Sequence, residues 1–133
     1  ERAEQQEQRT LAESLTSLIT GAERPGLKLV LQQSGKSRSL PSLVEISLYR
    51  CAQEGITNAC RHSGASEIAV HLDFSSDAFI ILSVTDNGRG FSRIPEKSHG
   101  LKGLRERAAL LNGEFFAGTE QQGGGCCRMI IPA

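Results

Sequence analysis

The sequence predicts an α/β protein: a two-layer sandwich in which one mixed sheet of about five strands carries about three helices on one face. Three observations predict it. Apolar residues at helical spacing alternate with stretches of period two, in the order α-β-α-β-β-α-β-β. The two middle strand segments, Ile68 to Phe74 and Phe79 to Val84, are apolar on one side or throughout, as strands covered by helices are. The chain has 133 residues, 38% of them hydrophobic, which suits one compact domain with a real core.

Residues Glu1 to Thr10 are charged and Gln-rich and read as a solvated or connecting helix, so the domain proper is expected over 11–133. Leu11, Leu15, Leu18 and Ile19 recur at helical spacing, with a stop at Gly21. Leu27, Leu29 and Leu31 alternate with polar neighbours as a strand does. Ser34 to Ser39 is polar and reads as a loop. Its Gly35-Lys36-Ser37 looks like the end of a phosphate loop, but Val30 stands where the first glycine belongs. A surface loop is the plainer reading.

A long helix follows, with Ser42 and Glu45 spaced for a capping box behind Pro41 and Gly64 placed as its stop. Ile68, Val70, Leu72 and Phe74 then alternate as a strand, a turn falls near Ser75-Ser76-Asp77, and Phe79 to Val84 is a central strand. Asn87 to Ser98 is a Gly- and Pro-bearing loop, and Gly100 to Leu111 an amphipathic helix closed by Asn112-Gly113. Glu114 to Ala117 and Arg128 to Ile131 are the last strands, joined by the turn Gly123-Gly124-Gly125. There is no internal repeat.

Fifteen Lys plus Arg balance fifteen Asp plus Glu, so composition offers no electrostatic case for a nucleic-acid partner or an anionic membrane surface. The first residue is Glu1 rather than Met, and the sequence is therefore expected to be a fragment of a longer protein. No apolar run approaches the ~18 residues of a membrane helix. Cys51 and Cys60 fall about half a turn out of phase on one helix and cannot bridge each other, while Cys126 and Cys127 adjoin on a strand and should face opposite ways. Without a Cys-x-x-Cys spacing, small hydrophobes in a reducing compartment are expected rather than disulfides or zinc. His71 is expected at a solvated strand position.

Three segments carry chemistry. At about 100° per residue, Glu54, Asn58, Arg61 and His62 share one stripe of the long helix, opposite Leu48, Tyr49, Ala52, Ile56, Ala59 and Cys60. A carboxylate, an amide oxygen, a cation and an imidazole suit a Mg²⁺-triphosphate, because a hard cation takes oxygen ligands and Asn58 supplies one without added charge. Glu54 can accept a proton or orient an attacking group. The same residues also fit an ordinary exposed helix face. In Asp86-Asn87-Gly88-Arg89-Gly90, a carboxylate at a strand end can accept from an exocyclic amine while the glycines admit a flat ring, although Asp-Asn-Gly is also plain turn chemistry. In His99-Gly100-Leu101-Lys102-Gly103-Leu104, the first N–H groups of a helix can face a phosphate, with Lys102 or Arg105 adding charge; a glycine-hinged helix start fits as well.

At these residues the chain resembles the ATP-binding domain of sensor histidine kinases, in the superfamily shared with gyrase, heat-shock chaperone and mismatch-repair ATPases. Glu54 to His62 is similar to that family's N box and Asp86 to Gly90 to its first glycine box. His99 to Arg107 is similar to its second glycine box in the short-lid subgroup of nitrate, hexose-phosphate and membrane-fluidity sensors of bacteria. Leu48-Tyr49-Arg50 and Ala65-Ser66-Glu67-Ile68 also fit that subgroup, and the likeness runs from about Leu11 to Ala133.

The resemblance implies a Bergerat-type fold, ATP and Mg²⁺ as ligands, and transfer of the ATP γ-phosphate to a histidine on a separate dimerising domain, then to a response regulator. It implies that Asn58 coordinates Mg²⁺, that Glu54 is the acid assisting transfer, and that Arg61 and His62 lie by the phosphates. Asp86 would bind the adenine amino group in a pocket shaped by Gly88 and Gly90. His99, Gly100, Leu101, Lys102, Gly103 and Leu104 would form the lid hinge and the phosphate-side backbone. It further implies a monomeric fragment of a homodimer and a cytoplasmic domain of a protein that the bacterial inner membrane can anchor.

Two departures stand out. The family commonly has Gly-Thr-x-Val near the end, its threonine steadying the aspartate, where this chain has Gly124-Gly125-Cys126-Cys127. The three histidines, His62, His71 and His99, also lack the setting of a phosphate acceptor, so the acceptor domain is expected to lie outside the chain. The alternatives are a serine kinase of the anti-sigma-factor type on the same fold, and a degenerate nucleotide-binding scaffold.

Overall fold

The computed structural model describes residues 10–88, 99–119 and 123–133. Helix α1 spans Leu11–Ala22, strand β1 Lys28–Ser34, helix α2 Ser42–Asn58, β2 Glu67–Asp73 and β3 Phe79–Asp86. Helix α3 spans His99–Leu110, β4 Glu114–Thr119 and β5 Gly125–Pro132. The five strands form one sheet in the order β1-β2-β3-β5-β4. β1 and β2 are parallel and the other neighbours antiparallel, so the sheet is mixed as expected.

Alternation in the strands sets the layers. Ile68, Val70 and Leu72 of β2, Ile80, Leu82 and Val84 of β3, and Cys127, Met129 and Ile131 of β5 are all buried. They pack in one cluster with Leu11, Leu15 and Ile19 of α1, Leu48, Ala52 and Ile56 of α2, and Leu101, Leu104 and Ala108 of α3. The alternate residues Ala69, His71, Ile81, Thr85 and Arg128 are half-buried. Helix α2 is central, touching α1, α3, β3 and β5. Its anchor Leu48 is fully buried, which contributes about 1.5–3 kcal/mol relative to exposure.

Local structure corrects several expectations. The side-chain N-cap falls not on Ser42 but at α1, where Thr10 Oγ1 accepts from the Glu13 N–H at 3.1 Å and donates to the Glu13 carboxylate. Pro41 is the cap residue of α2 and makes no side-chain bond there, so Ser42 already lies in the helix. Gly64 does end the helix, in the left-handed region at φ 64°, but the last turn, Ala59–Ser63, is a π turn. The strands run further than the pattern alone: β3 includes Asp86 and β5 begins at Gly125. His71 is not simply solvated; its Nε2 lies 2.7 Å from Ser34 Oγ across the parallel pair. Residues 1–9, most of the expected connecting segment, lie outside the described residues.

All four cysteines are free. Cys51, Cys126 and Cys127 are buried and Cys60 is half-buried. Cys51 Sγ lies 4.0 Å from Cys127 Sγ. That contact, then burial, pushes the Cys51 thiol well above its ordinary range, so it stays protonated and unreactive at neutral pH. Titration of the native chain with a thiol reagent is therefore expected to show one fast group, Cys60, and three that react at least about tenfold more slowly until the chain unfolds. Two or more fast thiols would contradict this packing. Among the described residues no helix is long and apolar enough to cross a membrane.

Candidate functional site

Helix α2 meets both the end of the sheet and the start of α3. Gly55 packs flat on Val84 of β3: a Cβ there would lie 2.9 Å from the valine side chain, so the glycine sets how closely the helix approaches the strand that carries Asp86. One residue before it, the half-buried Glu54 reaches the first turn of α3, where a Cβ on Gly100 would fall 1.8 Å from Glu54 Oε1. One turn later Asn58 is 8% exposed, and its Nδ2 is buried without a hydrogen-bond partner among the described residues. An unmet amide costs about 1–3 kcal/mol, so it is a feature that folding alone does not favour.

The expected stripe of four residues is therefore changed. Glu54 and Asn58 lie at the rim of the buried side of α2, not on a face opposite the core. The π turn that starts at Ala59 makes i→i+5 bonds and advances less than 100° per residue, so it breaks the helical phase after Asn58. Arg61, on that turn, is exposed. The side chain of His62 lies outside the described residues.

Asp86 ends β3 with its carboxylate fixed by main-chain donors. Its Oδ1 accepts from the Gly88 N–H at 2.8 Å and from the Gly125 N–H at 3.2 Å. The neighbouring Asn87 ties this corner to the start of β2: its Oδ1 accepts from the N–H groups of Ser66 and Glu67, both at 3.0 Å. The start of β5 runs directly against Asp86. A Cβ on Gly124 would lie 1.9 Å from the Asp86 carbonyl oxygen, and one on Gly125 2.6 Å from Oδ2. The sequence reading took Gly125 only as a missing hydroxyl; its N–H and its bareness could be found only by pairing the strands. Arg89 and Gly90 lie outside the described residues.

In the third segment, Leu101 and Leu104 are buried in the core, so their side chains anchor α3 and their main chain is what remains for a ligand. Lys102 and Gly103 are exposed. The side chain of His99 and the loop 89–98 lie outside the described residues. The structure thus brings together Glu54 with Gly100, Gly55 with β3, and Asp86 with Gly88 and Gly125. It places Arg61 and Lys102 outward. Chemically, the arrangement offers a fixed carboxylate acceptor at a sheet end, a neutral amide at a helix rim, and a carboxylate at the first turn of a second helix.

Comparison with known proteins spans these segments. Residues 43–133 match the family described as histidine kinase-, DNA gyrase B-, and HSP90-like ATPase. The signal transduction histidine-protein kinase/phosphatase DegS of Brevibacillus brevis is 32% identical over 115 residues, covering 85% of this chain and 30% of that protein. The sensor protein VraS of Staphylococcus aureus (strain COL) is 32% identical over 109 residues, 80% of this chain and 31% of that protein. The chain thus spans about a third of the length of these curated relatives. In fold it is similar to the histidine kinase domain of the blue-light activated histidine kinase from Erythrobacter litoralis EL346, with TM-score 0.69 and 21% identity over 92% of this chain and 58% of that one. With a family match over most of its length and a histidine-protein kinase relative at 32% identity, the chain belongs to the histidine kinase-, DNA gyrase B-, and HSP90-like ATPases and is homologous to the catalytic domains of sensor histidine kinases.

Proposed function

We propose that this chain is the ATP-binding catalytic domain of a two-component sensor histidine kinase, which presents the γ-phosphate of Mg-ATP to a histidine on a separate dimerising domain for relay to a response regulator. The observation that carries the reading is the Asp86 carboxylate, held by two main-chain donors at the sheet end, on the strand that Gly55 of α2 packs against. The domain is residues 11–133, the preceding residues being its connection to the acceptor domain. The run His99 to Arg107 supports the short-lid subgroup of nitrate and hexose-phosphate sensors. The serine-kinase and scaffold alternatives are not favoured, since one relative is a histidine-protein kinase/phosphatase by name and the other a sensor protein. We assign the domain to the cytoplasm, in a homodimeric protein that the inner membrane can anchor.

The residues divide the work as phosphoryl transfer requires, which is mostly positioning and charge neutralisation. Asp86 accepts from the adenine amino group, with Gly88 and Gly90 clearing space for the ring. Asn58 is the metal-side residue: its amide oxygen is a hard, neutral donor, and its nitrogen finds no other partner among the described residues. Bound Mg²⁺ would neutralise phosphate charge there. Arg61 and His62 are assigned beside the phosphates, and His99 to Leu104 supply the lid hinge and the phosphate-side main chain, with Lys102 adding charge. Glu54 receives or orients the proton of the attacking imidazole.

Two measurements test this. Calorimetric titration is expected to give saturable binding of Mg-ATP and none of Mg-GTP; absence of ATP binding would defeat the proposal. Incubation with γ-labelled ATP is expected to leave the chain unlabelled, because the acceptor lies elsewhere. Stoichiometric labelling of His62, His71 or His99 would overturn that assignment.

A further inference from the structure

We infer that Gly125 is a positioning residue for Asp86 and that this chain needs glycine there. The inference rests on the ATP-binding reading and specifies how that site selects its base. The β3–β5 register runs to Thr85 opposite Cys126, so the next pair sets Asp86 opposite Gly125. At that pair the Gly125 N–H donates to Asp86 Oδ1 at 3.2 Å, and the Gly88 N–H donates to the same oxygen at 2.8 Å. Both protein donors thus converge on Oδ1, and no other described residue donates to Oδ2. The space beside Oδ2 is the space a side chain at 125 would fill, since a Cβ would stand 2.6 Å from it.

This division of the two oxygens gives the site its direction. With Oδ1 saturated, the accepting capacity of the carboxylate is concentrated on Oδ2, which an exocyclic amino group can use and a carbonyl cannot. Adding a Cβ at 125 pushes against the free end of a side chain rather than against backbone, so the carboxylate turns and the fold stays. The expected effect is therefore on base recognition and not on stability.

The test compares wild type with Gly125→Ala and Gly125→Thr by titration with ATP and with inosine triphosphate, which carries oxygen in place of the amino group. The melting temperature of each free protein is measured in parallel. ATP affinity is expected to fall about tenfold or more in both variants, the scale of one hydrogen bond to a charged group, while inosine triphosphate binding and melting temperature stay unchanged. The preference for ATP therefore shrinks. If wild type binds ATP and Gly125→Thr binds it equally or more tightly, the inference falls and the ATP-binding reading stands. Equal losses for both nucleotides, or a lowered melting temperature in both variants, mark Gly125 as merely structural and also overturn it. Failure of wild type to bind ATP removes both.

Discussion

Asn58→Ala is expected to weaken Mg-ATP binding about a hundredfold or more while leaving the free protein as stable as wild type or slightly more so. The two halves of this prediction rest on the two ends of one amide. Asn58 sits at 8% exposure on α2 with its amide nitrogen buried and unpartnered among the described residues. In the free protein that amide is a cost of about 1–3 kcal/mol, and alanine removes it together with a little packing. In the proposed complex the oxygen of that amide would be the ligand on the metal side, and a hard cation has no substitute on an alanine methyl. Most buried polar residues behave the other way, supporting stability through satisfied hydrogen bonds. Thermal melting and calorimetry on the same samples check the prediction. Undiminished affinity in Asn58→Ala would remove Asn58 from the site, and a large drop in melting temperature would mean the amide is structural.

The fold was legible because burial is one-sided. Ile68, Val70 and Leu72 alternate with Ala69, His71 and Asp73, and a sheet covered by helices on one face writes that period into its strands. Leu11, Leu15 and Ile19 do the same at helical spacing. What the pattern did not contain is non-local. The Arg38 guanidinium donates to the carbonyls of Phe74, Phe79 and Ala133, three points that meet only after the sheet forms. Cys51 meets Cys127 for the same reason.

The site was legible in its residue types and less so in its geometry. A helical wheel assumes a constant advance, and the π turn at Ala59 ends that assumption within the motif itself. The wheel also set polar residues opposite the core, whereas α2 is covered along its rim by α3, whose Gly100 adjoins Glu54. The Gly125 N–H that points at the Asp86 carboxylate is a main-chain group and leaves no mark in a side-chain pattern.

Glu54→Gln and Gly100→Ala are expected to lower phosphoryl transfer alike, by about a hundredfold or more in the protein carrying its acceptor domain, yet to part company in ATP binding. Gly100 lies in the first turn of α3, and the Glu54 carboxylate occupies the volume where its Cβ would be, 1.8 Å from Oε1 and 2.2 Å from Cδ. An added methyl cannot coexist with that carboxylate, so either the side chain swings away or the first turn of α3 shifts. Both displace groups assigned to the phosphates, and ATP affinity should fall along with transfer. Glutamine keeps the shape and removes only the charge. Glu54 stands where a helix N-terminus favours an anion, so under the proposed function its carboxylate would compete with a triphosphate for the same first turn. Neutralising it therefore leaves ATP binding unchanged or tighter while removing the proton acceptor, a fall in kcat without a rise in Kd. Calorimetry with ATP beside single-turnover transfer separates the two variants. Equal loss of ATP affinity in both would show that Glu54 holds α3 in place and does no proton chemistry; full transfer activity in Glu54→Gln would show that the attacking imidazole needs no acid at position 54.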